Sequence, residues 1–135
     1  MADYEIRPIG WVRSSLKERD QAPHQGRQAG VEAELVMEEG VLRGLDGIRV
    51  GDKLFVLCWF HIAQRETLRV HPRGNAAIPK RGVFATRSPD RPNPIGLCLV
   101  DVLAVEGPIL RVRGLDAVDG TPVVDLKPYI SSLDT

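Results

Sequence analysis

Lys80-Arg-Gly-Val-Phe-Ala-Thr-Arg-Ser-Pro-Asp-Arg-Pro-Asn-Pro-Ile-Gly-Leu-Cys-Leu-Val100 begins and ends as strand and breaks in between into a proline-locked loop. Gly82 to Thr86 predicts a short strand, with Val83 and Ala85 on one face and Phe84 on the other. Pro89, Pro92 and Pro94 then fix three φ angles and push each preceding residue out of the helical region. A loop so restricted loses little entropy on folding and holds its side chains in set directions. Those side chains are Arg87, Ser88, Asp90, Arg91 and Asn93, all polar. From Ile95 the chain returns to strand, Leu97, Leu99, Asp101 and Leu103 alternating with Cys98, Val100, Val102 and Ala104. Proline, aspartate and asparagine are also ordinary turn residues, so a plain exposed turn is the alternative. Density argues for a binding loop: two guanidinium groups, an amide and three prolines fall within eight positions.

Outward from this stretch, the chain reads as many short strands. Tyr4 to Arg13 is a first strand, irregular at Pro8 and Gly10. Ser14 to Gly30 has no apolar period and reads as a long polar loop. Val31 to Met37 alternates as a half-buried strand, and Glu39 to Ile48, cut by Gly40, Gly44 and Gly47, allows one or two helical turns. Lys53 to Ile62 is a continuous β-branched and aromatic run, the pattern of a central strand buried on both faces. Thr67 to Val70 is a short strand, and His71 to Lys80 a mobile basic loop. Gly107-Pro108 turns the long strand into a hairpin with Ile109 to Val112. Asp119-Gly120 is a hairpin-type turn before a last strand, Thr121 to Leu126. The expected fold is mainly β, a single small antiparallel β-barrel with little helix, filling one domain from residue 1 to 135.

Composition narrows the function classes. Hydrophobic residues are 43% and charged residues 27%, an ordinary globular balance, and the formal net charge is zero. Between Arg69 and Arg91, however, six basic residues stand against Asp90 alone, a net of +5. Such a segment meets phosphate locally, unless its charges are only a solvated surface. Cys58 and Cys98 lie in apolar runs and read as small core residues of a reducing compartment. No basic segment followed by an apolar run opens the chain, and no apolar stretch is long enough to span a bilayer, so a cytoplasmic protein without membrane contact is expected.

No G-x-G-x-x-G follows a strand and no G-x-x-x-x-G-K-[ST] occurs, which argues against a Rossmann-type enzyme. His24, His61 and His71 lack metal-ligand spacing, so no metal is expected. His61, ending an apolar strand, reads on its own as a structural histidine. Ser88 lacks a nearby base, which disfavours covalent catalysis. The Asp119-Gly120-Thr121-Pro122 turn, with Asp125 and Lys127, is either a hairpin with a surface ion pair or a set of backbone groups for a heteroaromatic edge.

Two segments carry a resemblance. Phe84-Ala-Thr-Arg-Ser-Pro-Asp-Arg-Pro-Asn-Pro-Ile-Gly96 and Asp119-Gly-Thr-Pro-Val-Val-Asp-Leu-Lys-Pro-Tyr129 resemble the two signatures of the TsaA-like, or TrmO, family. Pro8-Ile9-Gly10 and Trp59-Phe60-His61 extend the likeness over nearly the whole chain. The resemblance implies a small β-barrel, usually dimeric, that binds S-adenosylmethionine and methylates N6 of threonylcarbamoyl-adenosine at position 37 of certain tRNAs. It places Arg87, Ser88, Arg91, Ile95, Gly96, Asp119, Gly120, Thr121, Lys127 and His61 around the cofactor. Asn93, Asp125 and Tyr129 become the catalytic candidates. Asn93 and Asp125 would accept N–H hydrogens of the adenine amine, Tyr129 would stack on a ring, and Arg87 and Arg91 would clamp a carboxylate or phosphate. The sequence departs from the family at two places. Longer bacterial members carry a further C-terminal domain for tRNA, and Pro23-His24-Gln25 stands where the family commonly has proline-arginine-glutamine. A histidine there donates a hydrogen bond but offers no bidentate fork. Two alternatives follow: methyl transfer to another substrate, or a non-catalytic cofactor-binding module.

Overall fold

The computed structural model describes residues 4–15 and 31–135, and the expected Ser14–Gly30 loop, with Pro23, His24 and Gln25, falls almost wholly outside them. The described residues form eight strands: β1 (Gly10–Arg13), β2 (Glu32–Met37), β3 (Lys53–Trp59), β4 (Arg69–Val70), β5 (Arg81–Gly82), β6 (Ile95–Glu106), β7 (Ile109–Arg113) and β8 (Pro122–Pro128). Six of them close into an antiparallel barrel in the order β1-β2-β7-β6-β3-β8, while β4 and β5 pair as a separate ribbon. The α-helix among the described residues is a single turn, α1 (Ser131–Asp134). The mainly β barrel expected from the strand pattern is therefore what forms.

Alternation builds the core. Each strand turns every second residue inward, and Val12, Leu35, Leu54, Val56, Cys58, Val100, Val102, Leu110, Val112 and Val123 are all buried in one cluster. At one mouth Leu115 and Ala117, from the β7–β8 connection, join that cluster. At the other, Val41, Leu42 and Leu45 pack against it from the 3-10 segment Glu39–Leu45, the short helical stretch that the glycines permit.

Several expectations need correction. Lys53 to Ile62 is not buried on both faces: β3 alternates, and Phe55, Leu57 and Trp59 are only half-buried on the outer wall. A barrel gives each strand two neighbours but one core face. The first strand is shorter than expected. Tyr4 and Ile6 are exposed and Pro8 has no N–H, so regular pairing starts at Gly10. Only Arg81 and Gly82 of the region before the proline loop are strand. Val83–Ala85 is a 3-10 turn, because the chain bends to bury Val83 and leaves Phe84 79% exposed. His71 to Lys80 is closed by hydrogen-bonded turns, Gly74 N–H to His71 O, Asn75 N–H to Pro72 O and Ile78 N–H to Asn75 O. The Gly107-Pro108 hairpin is as expected, with Glu106 opposite Ile109. Asp119-Gly120 makes a tight turn but no hairpin, since β8 pairs with β1 and β3 rather than with β7.

Candidate functional site

Register decides what meets what. Antiparallel pairing puts the end of β1, the end of β3, the start of β6 and the start of β8 at one end of the barrel. Cys58 on β3 has Gly96 as its partner on one side and Val123 on the other. The first signature therefore enters the barrel on one flank of Cys58 and the second on its other flank. Arg87–Asn93, in the β3–β6 connection, and Asp119–Thr121, in the β7–β8 connection, open on the same end. His61 joins them, exposed just after β3.

The proline loop is held by its own hydrogen bonds. Arg91 donates from Nε to Ser88 O (2.7 Å) and from one Nη to both Val83 O (2.7 Å) and Thr86 O (2.5 Å). Three N–H groups of the fork are thus committed to the loop, which makes Arg91 a tie and leaves its other Nη as the group able to clamp a ligand. Ser88 Oγ accepts from Asp90 N–H (3.2 Å), and Asp90 Oδ1 accepts from Gln64 N–H (2.9 Å). Asn93 is exposed, and its Oδ1 accepts from an Nη of Arg65 (3.3 Å). Arg65 also donates from Nε to Pro92 O (2.9 Å), and its guanidinium stands 5.0 Å over the Trp59 ring. The sequence reading missed Arg65; its one signal was an arginine a few residues beyond an aromatic strand end. Arg87 is exposed and has no hydrogen-bond or ion-pair partner among the described residues, so its whole fork is open to a ligand.

Gly96 serves packing. The Phe60 ring occupies the space a β-carbon would need there, and Phe60 N–H donates to Pro94 O (2.8 Å). Ile95 next to it faces outward, 40% exposed. In the second signature Thr121 is buried, and its hydroxyl donates to Val118 O (2.7 Å). Gly120 adopts φ +85° and donates its N–H to Val12 O (2.7 Å). Asp119 Oδ1 accepts from Ser14 N–H (2.9 Å). The turn is thereby fixed against β1 with Asp119 and Gly120 at its outer edge.

The later residues of that signature leave this end. Asp125, opposite Leu57, accepts its neighbour's N–H at Oδ1 (2.9 Å, from Leu126) and lies 3.5 Å from Lys127 Nζ through Oδ2. Lys127 is opposite Phe55, and Tyr129 donates its backbone N–H to Lys53 O (3.0 Å) and packs its ring 5.9 Å from Phe55. Lys53 is six residues from Trp59 along β3, about 20 Å at roughly 3.3 Å per residue. Within one protomer Lys127 and Tyr129 do not reach the proline loop. The expected D-x-K-P-Y corner is an outer wall. Tyr129 instead borders a cavity of about 510 Å³ at the opposite mouth, lined by Val41, Leu45, Ile48 and Leu126 among others.

Beneath the site the Cys98 thiol donates to Asp116 Oδ1 at 3.2 Å. Burial pushes the Cys58 thiol up to about 12, and Cys98 is raised too, burial first and the Asp116 carboxylate second. Both cysteines are free. Among the described residues no cluster of three His, Cys, Asp or Glu side chains is placed to hold a metal ion, and no helix is long and apolar enough to cross a membrane.

Residues 11–135 match the model of the tRNA-methyltransferase O N-terminal domain. The chain belongs to this family. Within the tRNA-methyltransferase O N-terminal domain family, it is 53% identical to a probable S-adenosyl-L-methionine-binding protein of Methanothermobacter thermautotrophicus, over 100% of this chain and 98% of the relative. It is 39% identical to the tRNA (adenine(37)-N6)-methyltransferase of Escherichia coli, over 96% of this chain and 59% of the relative. The crystal structure of TrmO from Pseudomonas aeruginosa superposes with a TM-score of 0.81 at 31% identity, over 99% of this chain and 59% of that one. The chain thus spans about three fifths of the length of these two bacterial proteins.

Proposed function

We propose that this chain, acting as one domain in the cytoplasm, is an S-adenosylmethionine-dependent methyltransferase whose substrate is N6 of threonylcarbamoyl-adenosine at position 37 of tRNA. The observation that carries the reading is the flanking of Cys58 by Gly96 and Val123, which sets the open Arg87 fork and the Asp119–Gly120 turn at one barrel end. The names of the Methanothermobacter and Escherichia coli relatives support the cofactor and the tRNA substrate respectively. The residues present suit the cofactor: Arg87 has a full set of donors, unused among the described residues, for a carboxylate, and the Asp119–Gly120 turn is held fixed at the rim by its bonds to β1. S-adenosylmethionine supplies a methyl group on a sulfonium. Asn93, exposed beside Arg65, orients N6 by accepting its single N–H hydrogen, in exchange for the long 3.3 Å bond from Arg65, and that proton is the one given up as N6 takes the methyl group. Catalysis here is positioning in a fixed polar frame, with no covalent step on the protein.

A homodimer completes the reading. The outer wall of β6 and β3 presents Ile95, Leu97 (50% exposed) and the half-buried Leu57 and Trp59 as an apolar face. It is rimmed by charges of both signs, Lys53, Asp101, Asp125 and Lys127, so a second copy meets it without net repulsion. Asp125, Lys127 and Tyr129 lie beside this face, and it is there that a partner would bring them into use.

Calorimetric titration with S-adenosylmethionine, followed by methyl incorporation into bulk tRNA, tests the proposal. Micromolar binding with incorporation is expected. Binding without incorporation into any tRNA would leave the second reading, a cofactor-binding module, which the Methanothermobacter relative's name favours. Absence of binding would remove both.

A further inference from the structure

The β4–β5 ribbon and the turn after it stand apart from the barrel in their chemistry. Residues 66–87 carry Arg69, Arg73, Lys80, Arg81 and Arg87 against Glu66, a net of +4. All five cations are exposed, and none forms an ion pair among the described residues. On the barrel strands most cations are paired: Arg13 with Glu34, Lys53 and Arg113 with Asp101, and Lys127 with Asp125, Arg111 being the exception among the described residues. The ribbon also exposes apolar side chains. Phe84 is 79% exposed at the 3-10 turn, midway between Arg81 and Arg87, and Leu68, 61% exposed, lies alongside, its carbonyl accepting the Val83 N–H (2.9 Å).

The frame beneath is fixed. Gly82 and Arg81 pair with Arg69 and Val70, Val83 is buried, and Arg91 and Thr86 both donate to Val83 O. Phe84 is thus an outward ring on a held backbone, with a guanidinium three residues to each side. Unpaired cations meet phosphates, and an exposed ring stacks on an unpaired base. The deep, narrow groove of paired RNA gives such a ring nothing to stack on. The ribbon runs directly into the proline loop, ending at Arg87 beside the candidate cofactor site.

We infer that this ribbon is a docking surface for single-stranded RNA, with Phe84 as the base-stacking residue and Arg69, Lys80 and Arg81 as phosphate contacts. The inference rests on the tRNA reading above and names the part of this chain that receives the RNA loop. The ribbon holds the looped-out strand by its backbone and one stacked base, and delivers the neighbouring nucleotide toward Arg87 and Asn93.

Fluorescence anisotropy with a labelled RNA hairpin carrying an anticodon-sized loop tests it, alongside the same stem as a fully paired duplex. Phe84→Ala is expected to weaken hairpin binding about tenfold and leave duplex binding unchanged, and Phe84→Trp to restore it. Arg81→Glu is expected to weaken both, reducing the slope of log K against log salt by about 1. S-adenosylmethionine titration of Phe84→Ala reports an intact fold. Equal hairpin affinities for wild type and Phe84→Ala overturn the inference, even if tRNA is methylated normally. So does a sedimentation shift showing that Phe84→Ala splits an oligomer, since Phe84 would then be a protein contact. Phe84-dependent RNA binding by a wild type that methylates no tRNA supports the docking surface and removes the proposed reaction instead.

Discussion

Cys98 and Asp116 are joined by a thiol-to-carboxylate hydrogen bond of 3.2 Å inside the barrel, linking the strand that continues the first signature to the segment leading into the second. Burial raises the Asp116 carboxyl above the ordinary aspartate range, with the bond from Cys98 and one from its own backbone opposing. A carboxyl raised in the fold but ordinary in the unfolded chain keeps its proton longer when folded. Its contribution to stability is therefore greatest below the ordinary aspartate range and is lost as pH rises from that range through the folded value. Urea unfolding of wild type and Asp116→Asn across that range should show the wild type losing ground to the variant as pH increases. Parallel curves would mean that Asp116 titrates alike in both states.

The cysteines should be slow toward thiol reagents. A thiol raised to about 12 is almost wholly protonated near pH 8, and Cys58 is also fully buried. Native protein treated with an iodoacetamide reagent at pH 8 is expected to stay unlabelled at Cys58 over a time in which urea-unfolded protein reacts completely. Equal labelling rates would contradict the buried placement.

Gly96→Ala should be costly. The new methyl group meets the Phe60 ring, which must move off the barrel end, and overpacking of this kind costs about 1–3 kcal/mol. Shifts in urea midpoint measure it. Combining the change with Phe60→Ala should recover much of the Gly96→Ala loss relative to Phe60→Ala alone, because the two groups compete for one space.

The two arginines of the loop should separate. Arg91→Ala removes a charged donor from three carbonyls and should cost about 1.5–3 kcal/mol of stability. Arg87→Ala removes no hydrogen bond or ion pair among the described residues, and its stability should stay within about 0.5 kcal/mol of wild type. Its cofactor affinity should nevertheless fall about 10–100-fold, the worth of a charge-assisted contact. Denaturation and calorimetry on both variants check the contrast.

Leu97→Glu places a charge on the proposed partner face while leaving the inward residues of β6 untouched. Sedimentation velocity is expected to show a dimer for the wild type and a monomer for the variant. An unchanged profile would move the partner surface elsewhere.

Much of this was legible in the sequence because a strand's face is set by its period. Glu32–Met37 and Ile95–Glu106 alternate on paper as they do in the barrel, and Pro89, Pro92 and Pro94 marked a held loop. Barrel closure was not legible in detail. The run Lys53–Ile62 looked doubly buried because the outward residues of its strand, Phe55, Leu57 and Trp59, are as apolar as the inward ones. Direction along a strand was missed as well. Asp119 and Tyr129 sit in one signature, yet an extended chain carries them to opposite ends of the molecule. Arg91 and Arg87 looked alike in sequence, and only the carbonyls around Arg91 tell them apart.

The turn at Gly107-Pro108 sits at the mouth away from the proline loop, between two strands whose pairing continues down to it. Chain ends are tolerated where no working part crosses. Circular permutants opened there, with residues 1 and 135 joined by a flexible tether, should therefore keep every connection that carries chemistry in its original order. The β3–β6 and β7–β8 connections both lie at the other end of the barrel, so a cut at Gly107-Pro108 severs neither.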